Sequence, residues 1–158
     1  NLNFQLVPYE ITNQKNEIYQ EDANNLIKKI SGDVLYLDPP YNARQYGSNY
    51  HVLNKIVNYK DFSSDKITGL TDYNKSNYCK KDKVYEEFEN LIKDANFKYI
   101  FISYNNEGLI KEEEFKKMLQ KHGKYSLYQK EYKRFKADPK RPNQAPTTFE
   151  HLHVLIKE

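Results

Sequence analysis

Apolar positions along the chain recur at two periods in turn, and the alternation predicts strands and helices in succession. After a polar, Asn-rich lead, residues 17–20 predict a short strand. Asp22 then opens a helical stretch in which Ala23, Leu26, Ile27 and Ile30 recur at helical spacing, and Ser31-Gly32 closes it. Residues 33–37 (DVLYL) form a short β-rich run, expected of an inner strand covered on both faces; Asp38-Pro39-Pro40 stops it, because two prolines cannot continue a ladder. Residues 42–82 are dominated by Asn, Tyr, Lys and Ser, with a helix expected over 49–57 and a long loop or small insertion around it. Asp82 caps a helix reaching residue 95, striped by Val84, Phe88, Leu91, Ile92 and Ala95, and residues 98–104 (KYIFISY) follow as a second inner strand. Leu109, Ile110, Phe115, Met118 and Leu119 mark another helix ending at Gly123, after which residues 125–132 and 149–157 read as strands joined by a basic loop. The succession predicts an α/β fold: one domain, a three-layer sandwich with parallel strands in the middle and an antiparallel hairpin at its end.

Composition narrows the chemistry. At 158 residues and 38% hydrophobic content the chain makes a single domain. Its 25 basic residues face 22 acidic ones, for a net charge of +3, so any attraction to a polyanion is local. Only Arg44, Arg134 and Arg141 carry the planar guanidinium that grips phosphate or guanine in bidentate fashion. The lone Cys79 excludes a disulfide framework and a CxxC zinc site. No run is long and apolar enough to span a membrane and no secretory leader is visible, so the chain reads as soluble and cytoplasmic. The five glycines, at 32, 47, 69, 108 and 123, are scattered; without clustered glycines the chain holds no GxG loop, P-loop or kinase Gly-rich loop.

The sharpest motif is Asp38-Pro39-Pro40-Tyr41, placed where DVLYL ends, and ligands of open α/β sheets bind at the carboxyl ends of strands. A strand-ending turn would use similar residues. The wider pattern weighs against that reading: Asp-Pro-Pro-Tyr-Asn-Ala-Arg-Gln-Tyr runs on to Ser48-Asn49-Tyr50-His51, and Asp22, Tyr78-Cys79-Lys80, FISYNNEG at 101–108 and Tyr132-Lys133-Arg134-Phe135-Lys136 accompany it. With these segments the chain resembles the S-adenosylmethionine-dependent adenine-specific DNA methyltransferases of the D12 class. The resemblance implies a partial Rossmann-like class I methyltransferase fold, S-adenosylmethionine as cofactor, double-stranded DNA as partner, and methylation of a flipped-out adenine at N6, as in a restriction-modification system.

The chemistry of such a motif follows from the weak nucleophilicity of adenine N6, whose lone pair is delocalised into the ring. The Asp38 carboxylate and the Pro39 carbonyl can each accept a hydrogen bond from the amino group, which localises the pair for attack on a sulfonium methyl. Pro39 and Pro40 fix φ and so hold the carbonyls in place beforehand, while the Tyr41 ring can stack on the flipped base. Transfer is direct, so Cys79 need not act as a nucleophile.

Beside this corner, Asn42, Arg44, Gln45, Tyr46 and Tyr50 mix hydrogen-bonding, basic and aromatic groups suited to DNA, although a solvated loop would read the same way. Lys133, Arg134, Lys136, Lys140 and Arg141 form a second candidate tract, for the DNA backbone or for solvent. Asp22, just before Ala23, has the form of a helix N-cap, and the resemblance gives Asp22 and Ala23 a second role against the donor's adenine. His151 and His153 share a strand face but lack a third ligand, so no metal is expected. Tyr99, Phe101 and Tyr104 read as a stripe of core aromatics and residues 111–117 as a solvated helix face.

One part of the family's pattern is missing: the Gly-rich strand-loop that holds the donor's methionine part. A cut fragment, a decayed gene product and one half of a split enzyme completed by another chain all fit that gap. Two other readings stay open: a non-catalytic nucleic-acid-binding module, and an RNA adenine methyltransferase.

Overall fold

The computed structural model describes residues 13–58, 70, 72–133 and 147–158. Four strands form one sheet: β1 (Ser31–Leu37), β2 (Asn96–Asn105), β3 (Gly123–Lys133) and β4 (Thr147–Lys157), in the order β1-β2-β4-β3. The helices are α1 (Ala23–Leu26), α2 (Tyr46–Asn49), α3 (His51–Asn58), α4 (Val84–Asp94) and α5 (Glu112–Leu119), with a one-turn 3-10 helix at Asn77–Cys79.

The core forms where the helical stripes meet one face of the sheet. Alternation puts Ile100, Ile102 and Tyr104 of β2 and His151, His153 and Leu155 of β4 on the same side. Phe88, Leu91 and Ile92 of α4 and Phe115, Met118 and Leu119 of α5 close over them, with Ile27 beside α1 at the margin. Phe88, Tyr104 and Phe115 meet edge-on, with centroids 4.9–6.2 Å apart, the geometry that ring quadrupoles favour. Lys157 reaches back from β4 to donate to the carbonyls of Ile92, Lys93 and Ala95, satisfying the orphan end of α4.

Several expectations need correction. Among the described residues the fold has two layers, not three. The opposite sheet face is open: Val34 and Tyr36 are 58% and 61% exposed, Tyr128 and Ile156 are exposed, and Tyr99, Phe101, Leu152 and Val154 are only half-buried. Parallel pairing is confined to β1 and β2; β4 lies between β2 and β3 and is antiparallel to both. Among the described residues, the strand built on DVLYL is therefore an edge strand with one covered face, on which Leu35 and Leu37 pack, and it starts two residues early because Ser31 and Gly32 already pair with Asn96 and Phe97. Tyr99 and Phe101 do not share a face with Tyr104, since odd and even positions of a strand point oppositely. Residues 17–20 form no strand; Ile18 is 96% exposed. The helix expected from Asp22 to Ile30 is a single turn, consistent with Asn24 and Asn25 being weak helix formers. The terminal antiparallel hairpin, β2 and α4 stand close to where the periodicity placed them, although Lys83 rather than Asp82 is the N-cap residue of α4; α5 is shorter than expected, running from Glu112 to Leu119 with Leu109 and Ile110 ahead of it, and Gly123 opens β3.

Candidate active site at the carboxyl end of β1

Because β1 and β2 run parallel, the segments leaving their carboxyl ends emerge on the same side of the sheet, and the two are tied together there. The Leu109 amide donates to the carbonyl of Tyr41 at 2.9 Å, joining the Asp38–Tyr41 corner to the loop after β2. The Tyr41 ring stands edge-on to buried Tyr104, 6.3 Å away, and is itself 39% exposed. Gly108 leaves room for the Tyr104 ring, which a Cβ there would overlap.

In front of this corner lies a cavity of about 560 Å³. Asp38, Pro39 and Pro40 form one side, Asp22 and Ala23 another, residues 74–78 a third, and Phe88 and Leu91 of α4 give it an apolar patch. Asp38 is exposed rather than turned into the core. Asp22 caps α1: its Oδ1 accepts from the amides of Asn24 and Asn25 at 3.0 and 3.1 Å. Since both cap bonds end on one oxygen, capping α1 and facing the cavity are compatible for one side chain.

The floor of the cavity is held by a polar network that sequence reasoning missed. Glu87 of α4 accepts from Asn24 Nδ2 at 3.0 Å and from Asn77 Nδ2 at 2.7 Å, and its backbone carbonyl accepts from Asn24 Nδ2 at 2.9 Å. The Tyr78 hydroxyl donates to Asn24 Oδ1 at 2.5 Å; burial, with Glu87 and Asp22 nearby, pushes this phenol far above its ordinary range, so it stays a donor. One carboxylate on α4 thus holds two other segments, at Asn24 and at Asn77. The only sequence signal was the Tyr78-Cys79-Lys80 segment, and nothing local in it pointed to Glu87.

The residues expected to meet DNA are placed as follows. Asn42 Oδ1 accepts from the Arg44 amide at 2.9 Å, an Asx turn that leaves the Arg44 side chain exposed. Gln45 spends its carboxamide on the backbone of Ser76 in both directions, Nε2 to O at 3.0 Å and N to Oε1 at 2.8 Å. Tyr46 and Tyr50, about half exposed, stand one helical turn apart with ring centroids 5.6 Å from each other. Partial burial, with Tyr41, Tyr50 and Asp38 close by, raises the Tyr46 phenol above its usual range. Arg134, Lys136 and Arg141 lie outside the described residues. Cys79 is buried, donates to the Arg44 carbonyl at 3.3 Å, and burial raises its thiol pKa, which keeps it protonated and unreactive. His151 and His153 are buried structural groups: His153 Nδ1 pairs with the Tyr125 hydroxyl at 2.9 Å and His151 Nε2 with Gln129 Nε2 at 3.3 Å. No described helix is long and apolar enough to cross a membrane.

Comparison with known proteins bears on this geometry. Residues 2–118 match the family described as D12 class N6 adenine-specific DNA methyltransferase. The chain is 55% identical over 151 residues to the type II methyltransferase M.NlaIII of Neisseria lactamica, covering 94% of this chain and 45% of that protein. It is 43% identical over 148 residues to the type II methyltransferase M.FokI of Planomicrobium okeanokoites (90% and 23%), and 40% identical over 121 residues to the type II methyltransferase M.CviAII of Paramecium bursaria Chlorella virus 1 (77% and 36%). The chain therefore spans less than half the length of these relatives. No solved structure matches it.

Proposed function

Since this chain belongs to the D12 class of N6 adenine-specific DNA methyltransferases, we propose that it supplies the catalytic and DNA-contacting part of a restriction-modification enzyme that methylates adenine N6 in double-stranded DNA. The observation that carries the reading is the pair of carboxylates, Asp38 and Asp22, on one cavity at the carboxyl end of β1. The cavity's volume and its mixture of acidic side chains with Phe88 and Leu91 fit an adenosine-sized group.

S-adenosylmethionine, when bound, supplies a methyl group activated on a sulfonium. Asp22 and Ala23, which line the cavity, would hold the donor's adenine, with the Asp22 carboxylate as a hydrogen-bond acceptor. Asp38 and the Pro39 carbonyl would accept hydrogen bonds from the two N–H groups of the target amino group, which favours a tetrahedral nitrogen with a localised lone pair. Pro40 stiffens the corner, and Tyr41, braced by Tyr104, stacks on the extruded base. Unstacking that base costs roughly a few kcal/mol, which stacking on a phenol ring partly offsets.

The rest of the donor site is assigned to strands beyond the described residues, in the same chain or a second one. The β1 edge that faces away from β2, and the open sheet face bearing Val34, Tyr36, Tyr99 and Phe101, support this, because a doubly wound sheet covers both faces of its inner strands. The full assembly is then a Rossmann-like sandwich. Arg44, Tyr46 and Tyr50, with Asn42 shaping their turn, follow the Asp38 corner in the chain and are read as contacting the DNA, with Arg134, Lys136 and Arg141 positioning its backbone.

The test is Asp38→Ala in the complete enzyme, read by transfer of labelled methyl groups into duplex DNA. Methyl incorporation should vanish while DNA binding survives. Retained methylation would show that the carboxylate does not act on the amino group, and would leave DNA binding without catalysis as the better reading.

A further inference from the structure

We infer that Gln45 is a positioning residue that sets the third wall of the cavity against the Asp38 corner; the inference rests on the methyltransferase reading and deepens it. Gln45 is the N-cap residue of α2 but makes no side-chain cap bond there. Its carboxamide instead crosses 31 residues of sequence and pairs with both backbone groups of Ser76, half-buried, at 3.0 and 2.8 Å. A primary carboxamide carries its donor and its acceptor on separate atoms in the arrangement of a peptide group, so pairing with both backbone groups of one residue fixes both the separation and the orientation of the two segments.

Two neighbouring contacts close the same seam. Cys79 Sγ meets the Arg44 carbonyl at 3.3 Å, and Gly47 lies so close to Tyr73 that a Cβ would stand 2.6 Å from Cδ2 of that ring. From Ser76 the wall continues inward. The Ser76 hydroxyl accepts from the Tyr78 amide at 3.2 Å, the Tyr78 hydroxyl donates to Asn24, and Asn24 is two residues from Asp22. One connected path of hydrogen bonds therefore runs from the loop after Asp38, along the wall, to the helix that carries Asp22. Gln45 is its first link, four residues past Tyr41, and its amide is committed to Ser76 rather than presented to a base edge.

The reacting groups on the two sides of the cavity must meet to within a fraction of an ångström, and a misplacement of about 1 Å can cost about 100-fold in rate. Loosening this wall should therefore register in the chemical step. The experiment compares Gln45→Met, of similar length and without hydrogen bonds, with Gln45→Asn, one methylene shorter and unable to span both Ser76 groups. Both are made in the complete enzyme, with kcat, KM for the donor, DNA Kd and the melting temperature measured for each. The expected result is a kcat at saturating DNA lower by about 10- to 100-fold in Gln45→Met, a smaller fall in Gln45→Asn, DNA Kd within twofold of the parent, and a melting temperature lowered by only a few degrees. A raised DNA Kd with unchanged kcat would overturn the inference in favour of a base-contacting glutamine. Unchanged kcat per folded molecule in both variants would overturn it in favour of a purely structural clamp. A parent enzyme without adenine methylation, or an active Asp38→Ala, would instead count against the methyltransferase reading itself.

Discussion

Burial of His153 makes the stability of this chain depend on pH in a way that can be worked out in advance. The ring is fully buried on β4, 4.5 Å between centroids from Phe115, with Nδ1 bonded to the Tyr125 hydroxyl and Nε2 without a hydrogen-bond partner among the described residues. Burial first, and His151 second, lower its pKa from 6.5 to about 4. A histidine whose folded pKa lies below its unfolded value is protonated more readily by the unfolded chain. Stability is then complete above pH 6.5 and is lost as pH falls toward 4. The gap of about 2.5 corresponds to about 3 kcal/mol over the whole range at about 1.36 kcal/mol per unit, and to about 2 kcal/mol between pH 7 and pH 5. The perturbation is His153→Phe, which keeps a flat ring against Phe115 and removes the titrating nitrogens; the half-buried Tyr125 hydroxyl can turn to water. Urea unfolding at pH 7 and pH 5, followed by circular dichroism, measures the effect. The parent should lose about 2 kcal/mol more between those two pH values than the variant does. Equal losses in parent and variant would refute the reasoning, because the pH dependence would then arise elsewhere.

Two further outcomes follow from the packing around the cavity. Gly108→Ala forces a methyl into the Tyr104 ring, which Phe88 and Phe115 hold in place; it should destabilise the chain by about 1–3 kcal/mol in urea melts and, by shifting Tyr41, also depress methyl transfer by the folded enzyme. Glu87→Ala leaves the Asn24 and Asn77 amides without their shared acceptor. A loss of about 1–3 kcal/mol is expected, together with weaker binding of the methyl donor by calorimetry, whereas unchanged donor affinity would separate the network from the cavity.

Much of the local architecture was legible in the chain because it depends on neighbours in sequence. The stripes at Val84, Phe88, Leu91 and Ile92 and at Phe115, Met118 and Leu119 record which side of each helix must leave water, and they match the buried residues of α4 and α5. The tetrapeptide 38–41 was legible for the same reason: prolines that end a strand act on the residues they are bonded to. Where the reading failed, the missing information was non-local. An apolar run such as DVLYL signals a strand, but whether it lies inside or at the edge of a sheet depends on what pairs with its far side, and Val34 and Tyr36 are left open. The partner of Gln45 was equally out of reach: its sequence neighbours are polar, and the group its carboxamide meets is Ser76, 31 residues on.

By itself, then, the order of residues determined the apolar stripes of α4 and α5, most of the strands, the turn at 38–41 and the family pattern, since propensity, periodicity and turn chemistry act over a few bonds. Only the tertiary structure decided that Asp22 and Asp38 face one cavity, that Glu87 joins α1 and the Asn77 turn to α4 beneath it, and that among the described residues the sheet has one covered face. Those facts depend on which distant side chains the collapsed chain brings within hydrogen-bonding reach, and a linear pattern does not carry that distance.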